Sequence, residues 1–175
     1  SSAPAAGLEK RVSVTVKKCG FFSDYLCGQA KAGDKFLLGD PSGDFYYEPV
    51  RDASVVVACA GGSGITPFYS MAQAIADGTE DFSIIIFYGE KKESDLALKA
   101  ELDALSCDRI RVVYVLSDEC KEGYEHGFIT ADIIKKYVPQ EDFTVMMCGP
   151  SAMYKFLDGE TKKLGLPLRR VRKEA

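Results

Sequence analysis

A chain of 175 residues, 46% hydrophobic and 27% charged, holds enough apolar material for one substantial core, or for one core and a small appendage. A formal net charge of -4 argues against the basic footprint of a nucleic-acid binder. No apolar run nears the ~18 residues of a bilayer span and no charged-then-apolar leader opens the chain, so a soluble, cytoplasmic protein with no membrane span is expected.

Val12, Val14 and Val16 alternate with polar neighbours and predict a half-buried strand. After Gly33-Asp34, the run Lys35-Phe36-Leu37-Leu38 predicts a second strand, which Gly39 to Gly43, with Pro41, would end. Residues 9 to 48 thus read as β-type. Beyond the charged connector Glu48-Pro49-Val50-Arg51-Asp52 the pattern changes. Ser54 to Cys59 is apolar on both faces, as a central parallel strand requires. Phe82 to Tyr88, Ile110 to Leu116 and Phe143 to Cys148 predict further strands separated by segments with helical spacing. Such alternation predicts an α/β fold, a doubly wound parallel sheet with helices on both faces.

Thr66 suits a helix N-cap and Pro67 a first helical position, with Phe68, Met71, Ala72 and Ile75 on one buried face. Thr130 can cap a helix burying Ile133, Ile134 and Tyr137, and Pro150 opens a last one marked by Met153, Phe156, Leu157 and Leu164. Arg169 to Lys173 reads as a solvated strand edge, because its charges alternate with apolar residues. The six cysteines are scattered without a C-x-x-C pair, so no metal or iron-sulfur site is expected, and the single histidine, His126, reads as an exposed loop residue.

The segment Ala60-Gly61-Gly62-Ser63-Gly64-Ile65-Thr66-Pro67 lies between a buried strand and a helix start, where bare backbone can approach a pyrophosphate. In isolation the loop serves a tight turn or a cofactor equally well. The missing lysine of a P-loop argues against a nucleotide-hydrolase or kinase-like reading, and Pro67 replaces the third glycine of the common dinucleotide fingerprint.

Gly61 to Pro67 resembles the nicotinamide-dinucleotide loop of the ferredoxin-NADP reductase superfamily, in its oxygenase and flavohaemoprotein reductase branch. Tyr88-Gly89, Val115-Leu116-Ser117, Gly127-Phe128-Ile129-Thr130 and Cys148-Gly149-Pro150 with Met153 match that pattern in the same order. Gly20 to Leu26, with Ser23, resembles the segment that meets the flavin diphosphate, and Gly33-Asp34 with Gly39 to Phe45 resembles the end of the flavin-binding barrel.

The resemblance implies a barrel remnant over residues 1–50 and a five-stranded NAD(P)H-binding domain over residues 51–175. Ser1-Ser2-Ala3-Pro4 resembles the continuation of the family's flavin motif and Glu174 the start of its final motif, so an excised fragment that is inactive alone and binds FAD poorly is expected. Unpaired strand edges of the remnant would invite self-association.

The implied function is a flavin-dependent oxidoreductase in which NAD(P)H reduces FAD, and electrons pass on to an iron-sulfur or other one-electron acceptor. The resemblance places Gly61, Gly62, Ser63, Gly64 and Thr66 at the pyrophosphate. It places Cys148, the catalytic candidate, near the nicotinamide with Gly149, Pro150 and Met153, and Tyr88, Ser117 and Asp118 at the remaining cofactor positions. Ser117-Asp118-Glu119 lacks the arginine that would bind a ribose phosphate, which favours NADH, while Lys91 and Lys92 argue the other way. The alternative is a nucleotide-binding electron-transfer subunit, like the accessory subunit of dihydroorotate dehydrogenases, active only with its partner.

Overall fold

The computed structural model describes residues 11–40, 42–138 and 142–174. The core is a six-stranded, all-parallel sheet of β1 (Val55–Gly61), β2 (Ser83–Glu90), β3 (Ile110–Leu116), β4 (Glu125–His126), β5 (Thr144–Cys148) and β6 (Val171–Lys173), ordered β4-β3-β2-β1-β5-β6. The helices are α1 (Phe21–Gly28), α2 (Ile65–Ala76), α3 (Lys99–Leu105), α4 (Ala131–Tyr137) and α5 (Ser151–Lys163).

β2 and β1 are the two central strands, and the apolar runs of β1 and of its other neighbour β5 are buried on both faces as a covered parallel sheet requires. Val56, Ala58 and Ala60 point into a core with Phe68, Met71, Ala72 and Ile75 of α2 and Leu102 of α3. Val57 and Cys59 point to the opposite core, with Ile134 of α4 and Leu157 of α5. Helices therefore cover both faces, and the doubly wound parallel class expected from the sequence holds. The sheet has one strand more than expected: Glu125–His126 pairs with Val115 and Leu116 at the edge. Two residues are too short to display a period, so no pattern betrays them. His126, exposed as expected, lies on this edge strand, with Nδ1 3.1 Å from the Glu119 carbonyl.

The N-terminal part departs from expectation. Among the described residues before Val55 there is no strand; segments 11–19 and 35–38, on either side of α1, join no sheet ladder. Val12 and Val14 are each 71% exposed and Leu37 is fully exposed, so the alternation that predicts a strand finds no neighbour to complete a ladder. The strand edges expected to drive self-association are thus not formed among the described residues. Ser1 to Pro4 and Pro41 lie outside the described residues.

Phe45 packs edge-on against Phe68, and Tyr47 stacks on Phe82 at 3.9 Å, so the sheet's core reaches back to the N-terminal side of the 50/51 boundary. The C-terminal basic stretch does supply an edge strand, with Arg169 and Lys173 exposed as expected, but Arg172 departs from the solvated reading. Arg172 is buried on β6, donating to Asp52 Oδ2 and the Tyr46 carbonyl at 2.6 Å each and also to the Asp44 carbonyl. Arg170 donates to the Arg51 carbonyl at 3.0 Å. These two arginines tie the connector to the last strand; their partners lie about 120 positions upstream, where local alternation gives no hint of them.

Candidate functional site

All strands run the same way, so the loops after β1, β2, β3 and β5 gather along one edge of the sheet. The chain steps from β1 to β2 on one side and later returns to place β5 on the other, making the β1–β5 boundary the topological switch point where open α/β sheets bind ligands.

At that boundary two backbone loops touch. Gly62–Gly64 forms a 3-10 turn that runs directly into α2. Gly62 takes φ 58, a left-handed conformation that a side chain disfavours. A Cβ on Gly64 would lie 2.8 Å from the Gly149 amide nitrogen and closer still to the Cys148 carbonyl, so only glycine permits the approach. Winding begins at Gly62, and Thr66 is therefore inside the first turn of α2 rather than its N-cap; its hydroxyl donates to the Ser63 carbonyl at 3.1 Å. Pro67 also falls inside that first turn, where its missing N–H is harmless.

Behind the contact, Met153 fills the space that a Cβ on Gly61 or Gly149 would need, and Tyr154 accepts a hydrogen bond from the Gly149 amide at 3.2 Å. Pro150 is the N-cap of α5 and packs against Gly61. Tyr88 is fully buried beneath the glycine turn, donating to the Gly62 carbonyl at 3.3 Å and accepting from the Ala97 amide at 3.1 Å. Burial first, and then Glu90, push its phenol up to about 12, so it stays neutral. Tyr88 and Met153 therefore shape the loops from behind; Ser63 is exposed on the open side.

Cys148 ends β5 opposite Ala60 of β1, and its thiol donates to the Glu174 carboxylate. Burial, followed by the Glu174 carboxylate, raises the thiol well above its ordinary range and keeps the sulfur protonated. Such a cysteine is a compact neutral group, unsuited to nucleophilic or general-base work.

Farther along the edge, Lys92, Glu93, Ser94, Asp118 and Glu119 line an open cleft of about 480 Å³. The Ser117 hydroxyl donates to Asp118 Oδ1 at 2.6 Å, and Glu119 accepts from the Glu93 amide at 2.9 Å. Glu93 is bound by Lys121 and Tyr124, leaving Lys92 as the other cation of a cleft with three carboxylates.

Ser23 lies apart from these loops, within the first turn of α1. Its hydroxyl accepts from the Cys19 amide at 2.9 Å and donates to the Gly20 carbonyl at 2.8 Å. With no barrel strands among the described residues, residues 11–50 do not by themselves enclose a flavin. The glycine turn, by contrast, has the strand–turn–helix geometry that suits a dinucleotide's pyrophosphate: Gly62 takes a left-handed conformation on the open side, and Gly64 lets the turn pack on the Cys148-Gly149 backbone. Sequence reasoning missed Tyr154, Glu174, and the pair Lys17 and Glu90 beside Gly62. Glu174 alone had a signal, as the start of a final motif.

The profile of the oxidoreductase NAD-binding domain family matches residues 59–158. NADH-cytochrome b5 reductase 1 of Candida glabrata is 32% identical over 148 residues, covering 80% of this chain and 52% of that protein. Nitrate reductase [NADH] 1 of Phaseolus vulgaris is 39% identical over 127 residues, 68% of this chain and 14% of that protein. The chain thus spans about half the length of the cytochrome b5 reductase relative and a far smaller share of the nitrate reductase. Among solved structures, the FAD/NAD-binding domain of nitric oxide dioxygenase from Vibrio cholerae superposes with a TM-score of 0.76 at 24% identity, over 89% of this chain and 64% of that one. A ferredoxin NADP+ reductase from Neisseria gonorrhoeae does so with 0.73 at 21% identity, over 91% and 71%. With the matched region running from the end of β1 through the glycine turn into α5, the chain belongs to the oxidoreductase NAD-binding domain family, on a ferredoxin reductase-like fold.

Proposed function

We propose that this chain is the dinucleotide-binding half of a flavin-dependent oxidoreductase and that it takes NADH in preference to NADPH. The observation that carries the reading is the backbone contact between Gly64 and Cys148-Gly149 at the switch point, which brings together the two loops assigned to the dinucleotide in this reading. Bound there, the reduced dinucleotide supplies a hydride to a flavin. Gly62 and Gly64 let backbone amides approach the pyrophosphate, and Met153 and Tyr154 hold the Gly149 loop in place. Cys148 offers the nicotinamide end a small, neutral surface and holds its proton on sulfur rather than exchanging it.

The preference for NADH follows from the cleft at Asp118 and Glu119, whose carboxylates accept hydrogen bonds from free ribose hydroxyls and repel a ribose phosphate. The relatives point the same way, being named as NADH-dependent. Electrons leave to a one-electron acceptor; cytochrome b5 in the name of one relative supports a carrier of that kind, and an iron-sulfur carrier is the second candidate.

Calorimetric titration of the chain with NADH and NADPH, beside an absorbance scan for bound flavin, tests the reading. NADH is expected to bind at least about tenfold more tightly, a difference of ~1.4 kcal/mol. Asp118→Arg should narrow or reverse that gap. Tighter NADPH binding by the unaltered chain would overturn the preference, and no binding of either nucleotide would overturn the reading as a whole.

A further inference from the structure

Two loops meet at the open cleft: the stretch after β2, where Glu93–Asp95 makes a single 3-10 turn, and the loop between β3 and β4 that carries Asp118 and Glu119. The Asp118 amide donates to the Lys91 carbonyl at 3.0 Å, and the Glu93 amide donates to the Glu119 carboxylate at 2.9 Å. The Glu93 carboxylate in turn accepts from both the Lys121 ammonium and the Tyr124 hydroxyl. Glu93 therefore bonds from one loop to the other twice, once through its backbone and once through its side chain.

That side chain takes up a charge that bears on the choice of dinucleotide. The Lys121 ammonium lies 5.6 Å from the centre of the Tyr124 ring, so lysine, phenol and carboxylate form one unit. The bonds from Lys121 and then Tyr124 hold the Glu93 carboxyl below its ordinary range, and the bond to Glu93 raises Lys121 above its own, so both are ionised at neutral pH. Lys99, 5.9 Å from the same ring, is engaged separately, by Asp103 at 2.7 Å. An ammonium already bonded to a carboxylate has little to offer an incoming phosphate, whereas a released one can give it a charge-assisted hydrogen bond. With 44% of its side chain exposed, Lys121 has room to turn once the bond to Glu93 is gone.

We propose that Glu93 determines dinucleotide specificity: by holding Lys121 it denies a ribose phosphate a second ammonium group, so that NADPH meets Lys92 alone against Asp118 and Glu119. Glu93 is a positioning residue that acts through Lys121. The proposal deepens the NADH reading of this cleft and rests on it. Free ribose hydroxyls bond to the carboxylates and need no cation, so NADH loses nothing when Glu93 keeps Lys121.

The test is calorimetric titration of NADH and NADPH into the unaltered chain, Glu93→Gln, Lys121→Met and the double variant, with Glu101→Gln on the exposed side of α3 as a control for net charge. Glu93→Gln should bind NADPH about tenfold more tightly, with NADH changed by less than about twofold, while Glu101→Gln should match the unaltered chain. In the Lys121→Met background the same Glu93→Gln substitution should gain no more than about twofold for NADPH, the share that belongs to lost repulsion alone. A merely structural role for Glu93 would weaken both nucleotides together and raise neither. Unchanged or weaker NADPH binding in Glu93→Gln, an equal change for both nucleotides, or a full gain that persists without Lys121 would overturn the proposal and leave the NADH preference standing. Tighter NADPH than NADH binding by the unaltered chain would overturn that preference itself, and no binding of either nucleotide by any of the proteins would overturn both.

Discussion

Gly64 and Gly159 differ in what one added methyl group would meet. At Gly64 the methyl would overlap the Cys148 carbonyl and the Gly149 amide, which are backbone and cannot swing aside; at Gly159, on α5, nothing lies within 4 Å. Gly64→Ala should therefore lower stability by about 2–3 kcal/mol and abolish NADH binding, because β1 and β5 must part at their ends. Gly159→Ala should stabilise by about 0.5–1 kcal/mol, since it removes a helical glycine without a clash. Urea unfolding of both variants checks this, and similar effects at the two positions would contradict the backbone-contact account. At this scale the glycines were legible in the sequence, because a strand–glycine–helix order is local. Glu90 and Lys17 were not: they lie 73 positions apart, and only the fold brings them to Gly62.

The elements are held at their ends by side chains from elsewhere. Thr130 caps α4 as the sequence suggests, its hydroxyl accepting from the Ile133 amide at 3.3 Å. The Ala131 amide at the same end donates to Glu160 of α5 at 2.8 Å, a contact no local pattern predicts. The Lys163 ammonium, at 2.6 Å, and then the Ala131 amide hold the Glu160 carboxyl below its ordinary range. A carboxyl depressed in the folded state contributes stability above its unfolded pKa of about 4.3, and that contribution fades as pH falls through the folded value. Glu160→Gln should then cost about 1 kcal/mol at pH 7 and progressively less on acidification through the carboxylate range. Urea unfolding at a series of pH values reads this directly; a cost independent of pH would contradict it. Strands were legible where both faces are apolar, and Ile110–Leu116 falls where its pattern puts it. The pattern at Val12, Val14 and Val16 misleads because alternation names a face, while a strand also needs a neighbour to bond. Arg172 misleads in the opposite sense, since alternation says nothing of Asp52, which buries it.

Across the whole molecule, parallel strands place the Gly62 turn, the Cys148 loop and the Asp118 cleft along one edge. The class of fold was legible because alternating strand and helix patterns admit few arrangements. The relation between the two ends of the groove was legible only through resemblance, since composition and period do not say which loops meet. The central claim is that one dinucleotide lies along this edge with its pyrophosphate at the glycine turn. Amide NMR spectra of the nitrogen-15-labelled chain, recorded during titration with NADH, test it most directly. The account predicts saturable shifts at the amides of Gly62, Ser63, Gly64, Asp118 and Gly149. Saturable shifts confined to the opposite edge of the sheet or to α1, with these amides unmoved, would contradict it.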